Sequence, residues 1–166
     1  MNPLEQWPFA AVRRNHALEH ATITILSQRH PRLRLVGRSD WGGFTLYGPV
    51  DSDDVRAAVD SALQRLQDGE AGLAVHPRCG TNLATGFVLA GLASYAAMSG
   101  KRRGILQRAV QLVVGLAAAS ILARPLGETI QERVTTSLDV AKLRLADIRR
   151  LQRGDVVVHR IETAQE

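Results

Sequence analysis

Two histidines and a glutamate stand close together near the start of the chain, in the run "HALEH". His16 and His20 are four residues apart, and Glu19 immediately precedes the second histidine. On a helix, side chains at this spacing lie one above the other, so both imidazoles could bind a single metal ion. Glu19 would lie beside them, where it could take a proton from a metal-bound water without itself being a ligand. The run therefore predicts a metal site, with zinc as the expected ion.

A second cluster of ligand types lies further along the chain, in "HPRCGTN". His76 and Cys79 are three residues apart in a loop that also contains proline and glycine. Imidazole and thiolate are both good zinc ligands, and a loop can bring either group to a pair of helical histidines. We expect zinc to bind His16, His20 and one of His76 or Cys79, and the sequence leaves that choice open. If both bind, the ion has four protein ligands and its role is structural.

The segments that contain these clusters predict a small α+β domain over residues 1–80, in which a helix, a β-hairpin and a second helix follow one another. The spacing of Phe9, His16, Glu19 and Leu26 places them on one face of a helix that Pro31 ends. A carboxylate and an imidazole on such an apolar face are costly unless they are paired or coordinated. The runs "LRLVGRS" and "GFTLYGPV" predict the hairpin, "DSDDVRAAVDSALQRL" predicts the second helix, and "LAVHPRCGTN" predicts a short strand before a loop.

Residues 81–126 predict a two-helix membrane hairpin. Residues 79–100 form a run of 22 without one charge, and a spanning helix needs roughly 20 apolar residues. The next uncharged run, residues 109–123, is long enough only if Arg108 and Arg124 extend to the interfaces. The alternative is a buried helical hairpin in a soluble protein. The membrane prediction implies contact with lipids and, for this chain, the bacterial inner (cytoplasmic) membrane.

The sequence leaves open which way this hairpin is oriented in the membrane. The turn "KRRGILQR" contains four basic residues and no acidic one, which by the positive-inside rule favours the cytoplasmic side. The basic amino-terminal domain weakens that inference. Beyond the hairpin, residues 127–166 predict a C-terminal tail that packs on the first domain. Its run "DVVVHRIE" predicts a strand, in which His159 is an ordinary strand side chain, whereas "LDVAKLRLADIRRL" fits a helix or a strand.

Composition excludes some classes of protein. The formal net charge is +5, yet basic residues are scattered and aromatic residues are only 4%, which argues against nucleic-acid binding. Cys79 is the single cysteine, so an intramolecular disulfide is impossible. The first 20 residues lack a basic start followed by an apolar core, so we expect no cleavable signal peptide.

The motifs resemble those of known families. "RNHALEHATI", "GFTLYGPV" and "LAVHPRCGTNLATG" before apolar helices resemble an uncharacterised family of small bacterial membrane proteins, a domain of unknown function. The likeness covers about residues 13–163 and implies membrane attachment and a shared site. A second uncharacterised membrane family is similar in pairing an "EH" helix with a later H-x-R-C-G-T segment. The pattern H-x-x-E-H itself is similar to inverted zincins such as pitrilysin-type peptidases. Those take a third ligand from a downstream glutamate; Glu70 is the available position here, in a turn.

Together these features predict a membrane-attached zinc-dependent hydrolase, peptidase-like, that acts on a peptide or protein. Glu19 would be the general base on a zinc-bound water. The alternative is a non-catalytic, membrane-anchored module with a closed structural zinc site. A third class, an interaction protein without metal, requires the two clusters to lie apart. Substrate, metal identity and oligomeric state do not follow from the sequence.

Overall fold

The computed structural model describes residues 2–99 and 104–165, and these form four α-helices and a four-stranded antiparallel sheet. The helices are α1 (Phe9–Arg29), α2 (Ser52–Gln67), α3 (Gly80–Met98) and α4 (Ile105–Ile130). The strands are β1 (Val36–Asp40), β2 (Gly43–Tyr47), β3 (Leu143–Arg153) and β4 (Val156–Gln165). The predicted α+β class is confirmed. Most of the basic turn on which the orientation argument rests, residues 101–103, lies outside the described residues.

The chain divides into two compact units, an α/β unit and a helical unit. The α/β unit contains residues 2–76 and 132–165, and the helical unit is Pro77–Gln131. The first therefore includes α1, α2 and the whole sheet, and the second consists of α3 and α4.

The sheet has the strand order β1-β2-β4-β3, with every neighbouring pair antiparallel. Phe44 pairs with Ile161 and Leu46 with His159, so these four side chains project from the same face. All four are completely buried, which identifies this face as the one that packs on the helices. The sequence predicted one C-terminal strand and left the segment before it open between helix and strand. In the structure that segment, Leu143–Arg153, is a strand and pairs with β4.

Helix α1 passes through the middle of the α/β unit. Residues 17–23 are buried without interruption, so this stretch has no solvent face. A helix that is buried all round needs apolar or small residues on every side, and here alanines supply many of them. On the helix face that the sequence predicted, Glu19 and Leu26 are buried, whereas Phe9 at the start of α1 is 57% exposed.

Helix α2 packs with one face on the same core. Its buried residues are Val55, Ala58, Val59, Ala62 and Leu66. They recur three or four positions apart, which is the spacing of one helical face. Acidic residues occupy its first turn, where they favour the positive end of the helix dipole.

The strand expected in "LAVHPRCGTN" is absent from the described chain, and the prediction was wrong. Ala71–Ala74 forms a single 3₁₀ turn, and a loop then leads to α3. The buried carbonyl of Ala74 accepts a hydrogen bond from the ring of His20 instead of from a neighbouring strand. The His20 side chain thus provides the hydrogen-bond donor that a neighbouring strand would provide in a sheet.

Among the residues that the structure describes, one helical segment is long and apolar enough to cross a membrane; it consists of α4 and the π-helical turn Gln131–Thr135 that continues it. This segment is Ile105–Thr135, and only 6% of its most apolar stretch is buried in the protein. The sequence favoured residues 79–100 over residues 109–123 as a membrane-spanning helix, and the structure favours the second of these two segments. Helix α3 begins only at Gly80 with Thr81 and Asn82 in its first turn, whereas α4 continues past both Arg108 and Arg124. A second span, and thus a membrane hairpin, stays a prediction.

Candidate metal centre

His16 and His20 lie one turn apart on α1, as their spacing predicts. Their ring centroids are 4.2 Å apart, with 60° between the ring planes. His20 is 2% exposed and His16 is half-buried. Two imidazoles at this distance can direct nitrogens towards a common point.

Each of the two rings is oriented by a backbone carbonyl. His16 Nδ1 lies 2.9 Å from the carbonyl oxygen of Thr135, and His20 Nδ1 lies 2.7 Å from that of Ala74. A carbonyl can only accept, so in both contacts Nδ1 is the protonated nitrogen and donates. The tautomer fixed in this way carries its lone pair on Nε2, which is the form that binds a metal. Thr135 and Ala74 act through their backbone, so their side chains gave no sequence signal.

The second cluster is divided between the two units. His76 belongs to the α/β unit, where its ring centroid is 5.9 Å from that of His20. Cys79 belongs to the helical unit, where it is the N-cap of α3. Glu70 forms an ion pair with Arg65, 2.6 Å long.

The carboxyl group of Glu19 is buried between α1 and β1. Glu19 is 5% exposed, and the Ser39 hydroxyl donates a short hydrogen bond to its Oε2. Burial raises the pKa of Glu19, and the hydrogen bond from Ser39 opposes that shift. On the β1 side the carboxyl group packs against Gly37, where a Cβ would lie 2.5 Å from the carboxyl carbon. A small residue at position 37 is therefore required for the observed position of Glu19.

Sequence reasoning missed Gly37 and Ser39. Both lie on the core face of β1, since Gly37 pairs with the buried Leu46 and Ser39 with the buried Phe44. Two small residues at alternate positions of a strand leave space on one face, and this was the available signal. They make room for the Glu19 side chain and supply its hydrogen-bond donor.

Asn15, immediately before His16, was also missed. It is completely buried, and its Nδ2 donates to the carbonyl of Asp40, 2.8 Å away. Its Oδ1 accepts from the Thr163 hydroxyl at 2.7 Å. These two bonds connect α1 to both β1 and β4, and thereby fix the rotation of the helix that presents the histidines.

His159, expected to be an ordinary strand side chain, lies on the core face of β4 away from this cluster. It is completely buried, and its Nε2 is 3.1 Å from the Ser52 hydroxyl at the start of α2. Its Nδ1 has no hydrogen-bond partner among the described atoms. Burial lowers the pKa of His159, and the charge of Arg150 lowers it further.

Comparison with known proteins places the chain in a family. A family model described as "Domain of unknown function (DUF6391)" matches residues 11–148. The chain belongs to this family. The matched DUF6391 region includes both the "HALEH" and the "HPRCGTN" clusters. Membership of a family of unknown function was expected and is confirmed, whereas the likeness to inverted zincins stays a prediction.

The chain is also similar to an uncharacterized protein of Picosynechococcus sp. (strain PCC 7002). The two are 39% identical over 139 residues, which is 76% of this chain and 66% of the relative. The chain thus matches just under two thirds of that protein's length. No solved structure matches the chain.

Proposed function

We propose that this protein is a membrane-attached, zinc-dependent hydrolase that cleaves peptide or similar amide bonds. His16, His20 and Cys79 would bind the metal, and Glu19 would be the general base. The observation that carries the proposal is the orientation of the two histidines. Each donates Nδ1–H to a backbone carbonyl, of Thr135 and of Ala74, and so presents Nε2 as the lone-pair nitrogen.

The burial of Glu19 supports a metal at the same place. A buried carboxylate is costly unless hydrogen bonds and a positive charge compensate for lost hydration. Ser39 supplies a hydrogen bond, and Glu19 shares its helical turn with both histidines. A divalent cation held by His16 and His20 would supply the positive charge.

The roles of the side chains follow from this placement. A zinc ion with three protein ligands keeps an open position, where it polarises water and the substrate carbonyl. Glu19 would accept the proton that the attacking water loses and would pass it to the leaving amine. Ser39 and Gly37 would hold the carboxylate in one orientation.

Membrane attachment rests on the segment Ile105–Thr135, which is long and apolar enough to cross a bilayer. Large apolar side chains on α4 are exposed, among them Val113, Val114 and Ile121. Contiguous exposed apolar surface of this kind fits contact with lipid chains. The substrate would then be a peptide or protein that reaches the enzyme near the membrane surface.

The catalytic role is tested with Glu19→Gln, which keeps the size of the side chain but removes the base. The full chain in detergent, loaded with zinc, is incubated with a quenched-fluorescence peptide library. We expect the variant to keep its zinc while hydrolysis falls by roughly 10² to 10⁴-fold. Glu5→Gln, at an exposed position, is the matched control. Equal hydrolysis by Glu19→Gln and the wild type would refute the assignment of Glu19.

A second candidate is a closed structural site with no catalytic function. It is favoured by the ring of His76, whose centroid is 5.9 Å from that of His20. If His76 joined His16, His20 and Cys79, zinc would have four protein ligands and no position for water. X-ray absorption at the zinc edge separates the candidates, because the hydrolase requires one oxygen ligand and the structural site three nitrogens and one sulfur.

A further inference from the structure

We propose that Asn82 is a positioning residue for the Cys79 ligand. It would act through the loop Pro77–Cys79, which it holds against the start of α3 with the help of Gln131. The inference deepens the proposed function, and rests on it, because it assumes that Cys79 binds the metal. It also gives a role to the end of the "HPRCGTN" segment, which the ligands alone do not explain.

Asn82 is the centre of a short chain of hydrogen bonds within the helical unit. Its Nδ2 donates to the carbonyl of Pro77 at 2.9 Å, and its backbone N–H donates to the carbonyl of Cys79 at 3.0 Å. Its Oδ1 accepts from Gln131 Nε2 at 2.7 Å. One residue thus binds both ends of the three-residue loop and connects that loop to the end of α4.

The sulfur lies inside this arrangement. Cys79 is the N-cap of α3, and the backbone N–H of Thr81 donates to Sγ at 3.4 Å. The sulfur also contacts the Thr81 hydroxyl at 3.4 Å, so two groups of Thr81 hold it at the first turn of α3. A ligand on a loop is only as well placed as the loop, so bonds that fix Pro77 and Cys79 also fix Sγ.

Helix α4 is shaped to accept Asn82. Gly127 is buried, and a Cβ there would lie 2.8 Å from Asn82 Cα and 2.9 Å from its Cγ. Gln131, one turn later, is completely buried. A buried amide is costly without a partner, and Asn82 supplies one. The glycine therefore allows the close approach, and the glutamine fixes the orientation of the Asn82 amide.

The test disturbs Asn82 by two independent routes. Asn82→Leu removes its polar group, whereas Gly127→Ala keeps every polar group and only displaces Asn82. Gly91→Ala on α3 is the matched control, because a Cβ at Gly91 meets nothing within 4 Å. Zinc affinity is measured on the full chain in detergent, and Co²⁺ substitution reports a thiolate ligand through its charge-transfer absorption. Cys79→Ser is the reference for loss of that ligand.

We expect Asn82→Leu and Gly127→Ala to weaken zinc binding by about 10 to 100-fold and to reduce the cobalt–thiolate band, as the loss of an outer partner does. Gly91→Ala should bind like the wild type. In the Cys79→Ser background, Asn82→Leu should cause no further loss, because both changes act through one ligand. If Asn82 merely stabilises the helix pair, Asn82→Leu should instead weaken zinc binding equally in the wild type and in the Cys79→Ser variant.

Failure of the inference and failure of the proposed site give different results. If Cys79→Ser weakens zinc binding but Gly127→Ala and Asn82→Leu do not, the positioning role is wrong and the ligand is retained. If Cys79→Ser itself binds zinc like the wild type, Cys79 is not a ligand, and the site is wrong at that position. If Asn82→Leu does not fold, Gly127→Ala alone decides.

Discussion

Gly37 lies directly against the carboxyl group of Glu19, so closely that a Cβ at position 37 would be 2.5 Å from the carboxyl carbon. Real Cβ atoms essentially never approach a neighbour this closely. The glycine is therefore part of the site, although it offers no functional group. Together with Ser39, it gives β1 a surface that fits one carboxylate and positions it beside the histidines of α1.

Gly37→Ala should disturb the Glu19 carboxylate without removing a metal ligand. The added methyl group overpacks a filled space, which costs about 1 to 3 kcal/mol of unfolding free energy. We expect a lower midpoint in chemical unfolding of the detergent-solubilised chain. Gly72→Ala is the control, since a Cβ at Gly72 meets nothing within 4 Å. Equal midpoints for the two variants would show that β1 does not constrain Glu19.

His159 should make the stability of the α/β unit depend on pH. Its pKa is lowered from 6.5 in the folded protein, chiefly by burial. As pH falls below about 6.5, the unfolded chain takes up the proton first, so stability is lost on the acidic side and fully present above this value. Unfolding measured between about pH 5 and 8 should therefore show a decline towards acid.

His159→Gln removes that titration while it keeps a polar partner for Ser52. The decline towards acid should be smaller in the variant than in the wild type. His30→Gln is a suitable control, because His30 is exposed and pairs with Asp54 at the surface, 3.1 Å away. Identical pH profiles for the wild type and His159→Gln would contradict the assigned effect of burial.

The segment Ile105–Thr135 should anchor the chain in membranes. Carbonate washing should leave the protein in the membrane fraction, and extraction should require detergent. Ile121→Arg places a charge near the middle of this segment, where insertion costs about 2.5 to 3.5 kcal/mol. It should reduce the membrane-bound share, whereas Val156→Arg on β4 should not. Recovery of the wild type as a soluble monomer without detergent would contradict the prediction.

The spacing of apolar residues predicted the elements that have one clear period, and it left open the segment in which two periods mix. Helix α2 and the first hairpin have regular spacing and were foreseen. In β3, the alternation of Leu143 and Leu145 is broken by a bulge between Leu145 and Asp147, so that Ile148 returns to the core face. The resulting spacing of three residues between Leu145 and Ile148 is also the spacing of one helical face. This explains why the segment fitted both a helix and a strand.

For the candidate site, the sequence indicated groups that bind metals, but not the groups that orient them. His16 and His20 are recognisable because helical spacing alone brings them together. The carbonyls of Thr135 and Ala74 belong to distant parts of the chain, and a backbone carbonyl is common to every residue. Gly37 acquires its role only through contact between β1 and α1. These are tertiary relationships, and no local pattern encodes them.

The metal content of the purified full chain tests the central claim most directly. Elemental analysis by mass spectrometry should find about one zinc per chain in the wild type and in His159→Ala, whose ring is not in the cluster. His16→Ala and His20→Ala should lose stoichiometric zinc, because each removes one of a few ligands. Full retention of zinc in both variants, or its absence from wild-type protein purified without chelator and incubated with zinc, would contradict the account.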